Sequence, residues 1–240
     1  MISRRYDGPL TGPLGALAER IVACRACPRL VAYREHVALT ARRPRFAHEE
    51  YWGAPVPGHG DPAARVLLVG LAPASHGANR TGRLFTGDPS ADFLTAALHR
   101  TGFASGPVSA HRGDGFRLWD VFNSAAVRCA PPNDRPTTAE QHACRPFLVE
   151  ELGLLPTVRV VLALGRLAHD ACLRALRERS GLPLRGVHFA HGATHALGEG
   201  LPHLVDCYHP SPRNTNTGRL RPEDLDTVLM GLRALLEALH

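Results

Sequence analysis

Two short aliphatic runs constrain the fold of this chain more than any other feature: Val66-Leu67-Leu68-Val69-Gly70-Leu71 and Val158-Arg159-Val160-Val161-Leu162-Ala163-Leu164. Each is rich in β-branched or aliphatic residues and ends at Gly or Pro. Near-continuous apolarity over so few residues suits a strand buried on both faces, and such strands belong to parallel sheets covered by helices. Leu118 to Asn123 and Leu204 to Tyr208 read as two shorter strands. Helices are expected at Leu14 to Tyr33, Ser90 to Arg100, Thr138 to Leu152, Arg166 to Arg179 and Pro222 to Leu239. The last is the clearest: Pro222 opens it, Glu223 and Asp224 occupy its first turn, and Leu225, Val228, Leu229, Leu232, Leu235, Leu236 and Leu239 share one face. Strands alternating with helices predict an α/β fold, a three-layer α/β/α sandwich around a short, mostly parallel four-stranded sheet. Ligands of such folds bind beyond the carboxyl ends of the strands. Stretches rich in Pro, Gly and Arg (Arg42 to Pro62, Gly102 to Gly115, Leu182 to Gly200) read as surface loops.

The 240 residues suit one domain spanning 1–240, and 44% hydrophobic content excludes a disordered chain. No apolar run reaches the roughly 18 residues of a membrane span. No apolar signal segment follows the first residues, so a cytoplasmic, monomeric protein with no membrane partner is expected. The formal charge of +6 favours a polyanionic partner. All 28 basic side chains are arginine. Codon bias accounts for this, yet the chemical consequence stands: no side chain can form a Schiff base, and no phosphate loop with its lysine can exist.

Each expected strand runs into a polar or Gly/Pro-rich segment. Ala72-Pro73-Ala74-Ser75-His76-Gly77-Ala78-Asn79-Arg80-Thr81-Gly82-Arg83-Leu84-Phe85-Thr86-Gly87-Asp88 follows the first. Asn123 ends the second, with Arg128-Cys129-Ala130-Pro131-Pro132-Asn133 beyond it, Gly165 closes the third, and His209-Pro210-Ser211-Pro212-Arg213-Asn214 follows the fourth. One sheet edge therefore collects the groups that a pocket for a small, polar, planar ligand needs.

Taken together, Gly70-Leu71-Ala72-Pro73, Gly82-Arg83-x-Phe85-Thr86-Gly87-Asp88, Asn123 with Arg128-Cys129-Ala130-Pro131-Pro132, and His209-Pro210-Ser211-Pro212 resemble the uracil-DNA glycosylase superfamily. Their order and spacing are similar to its iron–sulfur branches, and the Gly-Leu-Ala-Pro form to family 5. The resemblance runs from about Cys24 to His209 and implies a monofunctional enzyme that flips uracil, or another deaminated base such as hypoxanthine, out of DNA and excises it. Phe85 would stack on the base, above Gly70, and Asn123 would read its Watson–Crick edge. His209 would donate a hydrogen bond to uracil O2 as charge builds on the departing base. The segment Ser211 to Asn216, with Pro212, Arg213 and Asn214 as DNA contacts, would enter the minor groove and hold the gap, with Arg80 and Arg83 also on the DNA and Ser211 at a phosphate. Other members of the superfamily place an Asp or Asn where Ala72 stands, to hold the attacking water. Asn79 and Asp88 are the candidates here, and Asp88 can equally cap the helix that follows. A non-catalytic or DNA-crosslinking damage-binding module on the same fold is the competing reading.

Cys24 and Cys27 form C-x₂-C, and Cys129 and Cys144 are separated by fourteen intervening residues. Paired thiolates in a cytoplasmic chain point to metal, and spacing alone allows either zinc or an iron–sulfur cluster. The resemblance implies a [4Fe–4S] cluster that braces the Arg-rich loops. Cys172 and Cys207 read as small buried hydrophobes.

The absence of lysine leaves the Met1 amine as the one group that could trap a sugar aldehyde, and nothing in the segment after it draws it toward the pocket. Base release should therefore leave an alkali-labile abasic site without strand cleavage. Incubation with uracil-containing DNA and borohydride should trap no covalent complex; a trapped complex, or nicking without alkali, would contradict this.

Overall fold

The computed structural model describes residues 10–239, so the Met1 amine lies outside the described residues. In chain order the elements are α1 (Gly12–Ala23), α2 (Pro28–Leu39), β1 (His59–Gly60), β2 (Val66–Gly70), α3 (Ala78–Thr81), α4 (Pro89–Arg100) and β3 (Val121–Ala125). They continue with α5 (Thr138–Leu154), β4 (Val160–Leu164), α6 (Arg166–Ser180), β5 (Thr194–His195), β6 (His203–Cys207), α7 (Pro212–Thr215) and α8 (Pro222–Ala238).

The strands form one sheet in the order β1-β3-β2-β4-β6-β5. The four inner strands are the expected ones and run parallel. The sheet has six strands rather than four, because β1 and β5 pair antiparallel along its two edges. Both additions are two residues long and lie inside segments read as loops; two residues carry no periodicity to detect.

Side chains of the inner strands alternate between two apolar layers, as a period of two requires. Leu67, Val69, Phe122, Val161, Ala163 and Leu204 pack under α1, α5 and α6. Val66, Leu68, Val121, Val160, Leu162, Leu164, Val205 and Cys207 pack under α4 and α8. The sheet is covered on both faces, which is why its strands are apolar throughout rather than alternating. Among the described residues no helix is long and apolar enough to cross a membrane.

Two expected elements change shape. The helix expected over Leu14 to Tyr33 is two helices, with Cys24 ending α1 and Cys27 opening α2, both in extended backbone. Pro28 accounts for the break, since its ring disfavours helical geometry in the residue before it. The strand expected at Leu118 to Asn123 slides to Val121–Ala125, so Asn123 is its middle residue and not its end. Asp120, with φ of 64°, turns the chain just before it, and its carboxylate accepts from the Arg65 backbone N–H and guanidinium.

A buried ion pair ties the sheet to α5. Arg128 Nη2 donates to Glu151 Oε2 at 2.7 Å, and the Ser124 hydroxyl donates to the same oxygen. Both charged side chains are almost completely excluded from solvent.

Candidate active site

The chain passes from β2 outward to β3, then returns across β2 to β4, so strand order reverses at β2. Crossovers on opposite sides leave a crevice beyond the carboxyl ends of the strands, where such sheets bind ligands. Two connected spaces open there. A small inner pocket is lined by Gly70, Ala72, Pro73, Leu84, Phe85, Asp88, Ala125 and His209. A wider cleft of ≈ 830 Å³ is lined by Gly165, Arg166, Leu167, His191, Tyr208, His209, Asn214 and Arg219, among others. His209 belongs to both.

The floor of the inner pocket is the register pair Gly70 and Ala125. Gly70 lacks a side chain for a reason: a Cβ there would lie 2.7 Å from Cζ of Phe85. Phe85 itself has φ of 49°, a left-handed conformation that costs a non-glycine residue on the order of 1 kcal/mol or more. The residues flanking it hold it there. His59 Nε2–H donates to the Leu84 carbonyl at 3.0 Å, the Thr86 hydroxyl donates to the same oxygen at 3.1 Å, and Arg83 Nε donates to Thr86 Oγ1 at 3.0 Å.

Asn123 lies on the same face of β3 as Ala125, one residue pair deeper, and is almost wholly buried. Its Nδ2 is 3.3 Å from His59 Nε2, a nitrogen already donating to Leu84, and its Oδ1 has no partner. Turned end for end, the amide would accept from that N–H and free Nδ2 instead. In either orientation one end of the buried amide lacks a protein partner, and Asn123 lies beneath the inner pocket without lining it.

His209 follows β6 directly. Its carbonyl accepts from Ser211 N and from Asn214 Nδ2, both at 2.8 Å, so the Ser-Pro-x-Asn segment clamps the backbone that carries the ring. Gly165 packs so closely that a Cβ would meet His209 Cβ at 3.2 Å. Burial pushes the His209 imidazole down to about 4, so it is neutral at physiological pH.

Asp88 takes the capping role and also lines the inner pocket. Its Oδ1 accepts from Ser90 N at 2.9 Å and Ala91 N at 3.1 Å, capping α4, while the residue lines the inner pocket. Its Oδ2 lies over Gly77, where a Cβ would come within 1.9 Å. Asn79, the other candidate, is fully buried and turned toward α2, its Nδ2 donating to the Arg34 and Ser75 carbonyls.

Two further expectations are corrected. Arg80 is buried, paired with Glu49 at 2.5 Å, and bonded to the His76 and Gly87 carbonyls. Arg83 is buried against Asp114 at 2.7 Å and Ser109. Neither is presented to DNA: each has partners inside the fold for its guanidinium, and together they fix the loop that carries Phe85. Pro212 and Arg213 are exposed beside the cleft, whereas Ser211 and Asn214 are half-buried.

Cys24, Cys27, Cys129 and Cys144 line a single apolar cavity with Leu30, Val127 and Phe147. Arg34 Nη1 donates to Cys129 Sγ at 3.0 Å, and Arg128 N donates to Cys144 Sγ at 3.3 Å. Burial pushes the free Cys129 thiol up to about 11 and the Cys144 thiol up to about 12. The buried Arg34 guanidinium, with Nε unpartnered, thus faces sulfur that is anionic only when bound to metal. Among the described residues His169, His195 and Asp206 also bring three donor atoms within 4.8 Å of one another. The Asp206 carboxylate is itself fully engaged by His169 Nδ1, His195 Nε2 and Ala190 N, and anchors the wall of the cleft.

Residue-by-residue reading missed His59 and Arg34. His59 sits in a Pro/Gly-rich stretch with no pattern. Arg34 was detectable, since it falls four residues after Leu30 and four before Ala38 on the buried face of α2.

The buried imidazoles give the site a pH signature. Burial holds His59 near 3 and His209 near 4, against an ordinary value of about 6.5. As pH falls below about 6.5 the unfolded chain binds protons that the folded chain refuses, so stability should fall between pH 7 and 4. Urea midpoints for wild type and His209→Gln should show a shallower decline in the variant; equal slopes would contradict the neutral, buried ring.

A family model described as the uracil DNA glycosylase superfamily matches residues 57–233. The type-5 uracil-DNA glycosylase of Thermus thermophilus is 51% identical over 220 residues, covering 92% of this chain and 97% of that protein. The type-5 uracil-DNA glycosylase of Mycobacterium tuberculosis is 48% identical, covering 94% of this chain and 84% of that protein. A type-4 uracil-DNA glycosylase of Pyrobaculum aerophilum is 34% identical over 126 residues, 52% of this chain and 56% of that protein. With its family model matched over most of its length and relatives about half identical across it, this chain belongs to the uracil-DNA glycosylase superfamily.

Proposed function

We propose that this protein is a monofunctional uracil-DNA glycosylase acting in base excision repair, with the flipped base in the inner pocket and the DNA strand in the cleft. The position of His209 in the lining of both spaces carries the assignment, because the bond to be cut joins the base in one to the sugar in the other. Uracil stacks on Phe85 above Gly70, and the open end of the Asn123 amide meets its N3–H or O4. Neutral His209 donates to O2 and stabilises the anion that forms as the bond lengthens. In a buried site such a fixed donor acts at low dielectric and needs little reorganisation. Asp88, with one oxygen engaged in the helix cap, holds the water that attacks the sugar through the other. The oxocarbenium-like transition state asks little of that nucleophile, so Ala72 is compatible with activity. The small Ala72 side chain also leaves room for a purine such as hypoxanthine.

We further propose that Cys24, Cys27, Cys129 and Cys144 hold a [4Fe–4S] cluster. The apolar cavity between them and the two N–H donors on Cys129 and Cys144 support it. Such a group would serve structure, crosslinking the α1–α2 turn to the segment after β3 and to α5. All six cysteines are free, which suits a reducing cytoplasm, where we expect the enzyme to act as a monomer.

His209→Ala should lower the single-turnover rate of uracil release on the order of 10²–10³, the scale for one donor lost from a developing anion. Asn123→Ala should harm uracil release more than hypoxanthine release. Wild-type rates in His209→Ala, or tight binding of uracil-containing DNA with no base released by the wild type, would overturn the assignment.

Anaerobically purified protein should be brown, with absorption near ~400 nm and about four irons per chain. Cys172→Ala and Cys207→Ala should leave the iron content unchanged. A colourless protein holding one zinc would contradict the cluster.

A further inference from the structure

We propose that His169, His195 and Asp206 form a divalent metal site that takes zinc, set behind the wall of the cleft and separate from the four cysteines. Their three donor atoms lie within 4.8 Å of one another. They come from three elements: His169 is the fourth residue of α6, His195 lies on the edge strand β5 and Asp206 on β6. Asp206 shares a strand face with Leu204, so it points into the layer that α6 covers. The site is independent of base excision and stands whatever base the inner pocket takes.

Hydrogen bonds alone do not account for this cluster. Asp206 is fully buried beside an apolar layer, where a carboxylate needs a cation next to it. His169 is also buried, and acceptors face both of its nitrogens: Asp206 Oδ1 lies 2.7 Å from Nδ1 and the Val187 carbonyl 3.4 Å from Nε2. A neutral imidazole carries one N–H, so one of these contacts would set a lone pair against an oxygen. A metal ion at Nδ1 removes the conflict. Nε2–H then donates to Val187, the outer hydrogen bond that metal-bound histidines commonly make. Asp206 has matching support, since Ala190 N donates to its Oδ2 at 3.2 Å. His195 Nε2 meets the same carboxylate at 3.0 Å, with its ring T-shaped to that of His169 and the centroids 5.7 Å apart.

The donor set selects the ion. Two imidazoles and one carboxylate suit zinc, whereas calcium and magnesium take more ligands, almost all oxygen. Zinc with bonds of about 2.0–2.1 Å holds its ligand atoms roughly 3.3 Å apart, so about half an ångström of movement opens the present contacts to it. His195 can supply that movement from a two-residue edge strand. Its side chain is 19% exposed, which gives the ion a way in and leaves water as the fourth ligand. Bound there, zinc clasps the 187–195 segment to α6 and β6. Phe189 of that segment packs edge-on against His169, and His191 stacks on Tyr208; all but His169 line the cleft.

The test loads untagged, anaerobically purified protein with zinc, dialyses it against metal-free buffer and counts both metals. Wild type should keep about one zinc per chain with its iron content unchanged. His195→Gln and Asp206→Asn should each lose the zinc, while His188→Gln, which alters an exposed neighbour outside the set, should keep it. Zinc at about a hundred times its dissociation constant should raise the melting temperature of wild type by about 5 °C or more and leave His195→Gln unmoved. Hydrogen exchange across 187–195 should slow with zinc in wild type and not in His195→Gln. Should Asp206→Asn fail to fold, His195→Gln decides alone, its side chain lying at the sheet edge. No zinc retained by wild type would overturn the site and leave His169 protonated at both nitrogens. Zinc retained equally by His195→Gln would overturn it by placing the ion elsewhere.

Discussion

The parallel pairing of β2 on both sides is the constraint from which the site follows. Hydrogen bonds join β2 to β3 from Val66 through Gly70, and to β4 from Val66 through Val69. Parallel strands point their carboxyl ends the same way, so Gly70, Ala125, Gly165 and, one strand further, His209 reach a common edge although up to 139 residues separate them in the chain (209 − 70). Both neighbours of β2 are filled by its own register, which leaves no slack at that edge. Phe85 rests on a glycine because any side chain at position 70 would collide with it, and Gly165 next to His209 is held to glycine by its φ of 92° and by the tight space, a Cβ there lying 3.2 Å from His209 Cβ. Pocket geometry is therefore set by backbone contact rather than by flexible side chains.

Arginine serves the interior as much as the surface. Arg34, Arg80, Arg83 and Arg128 are all buried; the first three distribute their donors over several acceptors (carboxylates, carbonyls, hydroxyls or cysteine sulfur), while Arg128 gives Nη2 to Glu151 and leaves Nε and Nη1 without a partner. A planar fork of N–H groups can satisfy several partners at once, which a lysine ammonium on a flexible stem does less well. A net charge of +6 is thus a poor map of the DNA-binding face. The arginines that line the cleft, Arg166 and Arg219, are a small part of the total and lie where the strand would pass.

Burial gives the polar residues their chemical states. Desolvation keeps His209 neutral, so it can stabilise a departing anion as a hydrogen-bond donor without first surrendering a proton. The unpartnered end of the buried Asn123 amide is a group that the proposed base would satisfy. The left-handed Phe85 follows the same logic, with local strain held by the hydrogen-bonded loop of His59, Arg83 and Thr86.

The amino-acid sequence by itself determined the four inner strands, the helices between them, the pairing of four cysteines and the order of the pocket motifs. Those features are local: apolar runs, capping residues and short spacings are written in neighbouring positions. Even the break at Cys24 to Cys27 was legible in Pro28, and Asp88 as a cap was legible in its place before α4. What only the tertiary structure decided depends on partners far away in the chain. Arg80 finds Glu49 and Arg83 finds Asp114, each across 31 residues, and those contacts turn inward two cations that a motif alone would send to DNA. Asn123 sits in mid-strand because Asp120 turns the chain and binds Arg65, 55 residues earlier. Side-chain direction and burial are properties of the packed sheet, so no local pattern could have assigned them.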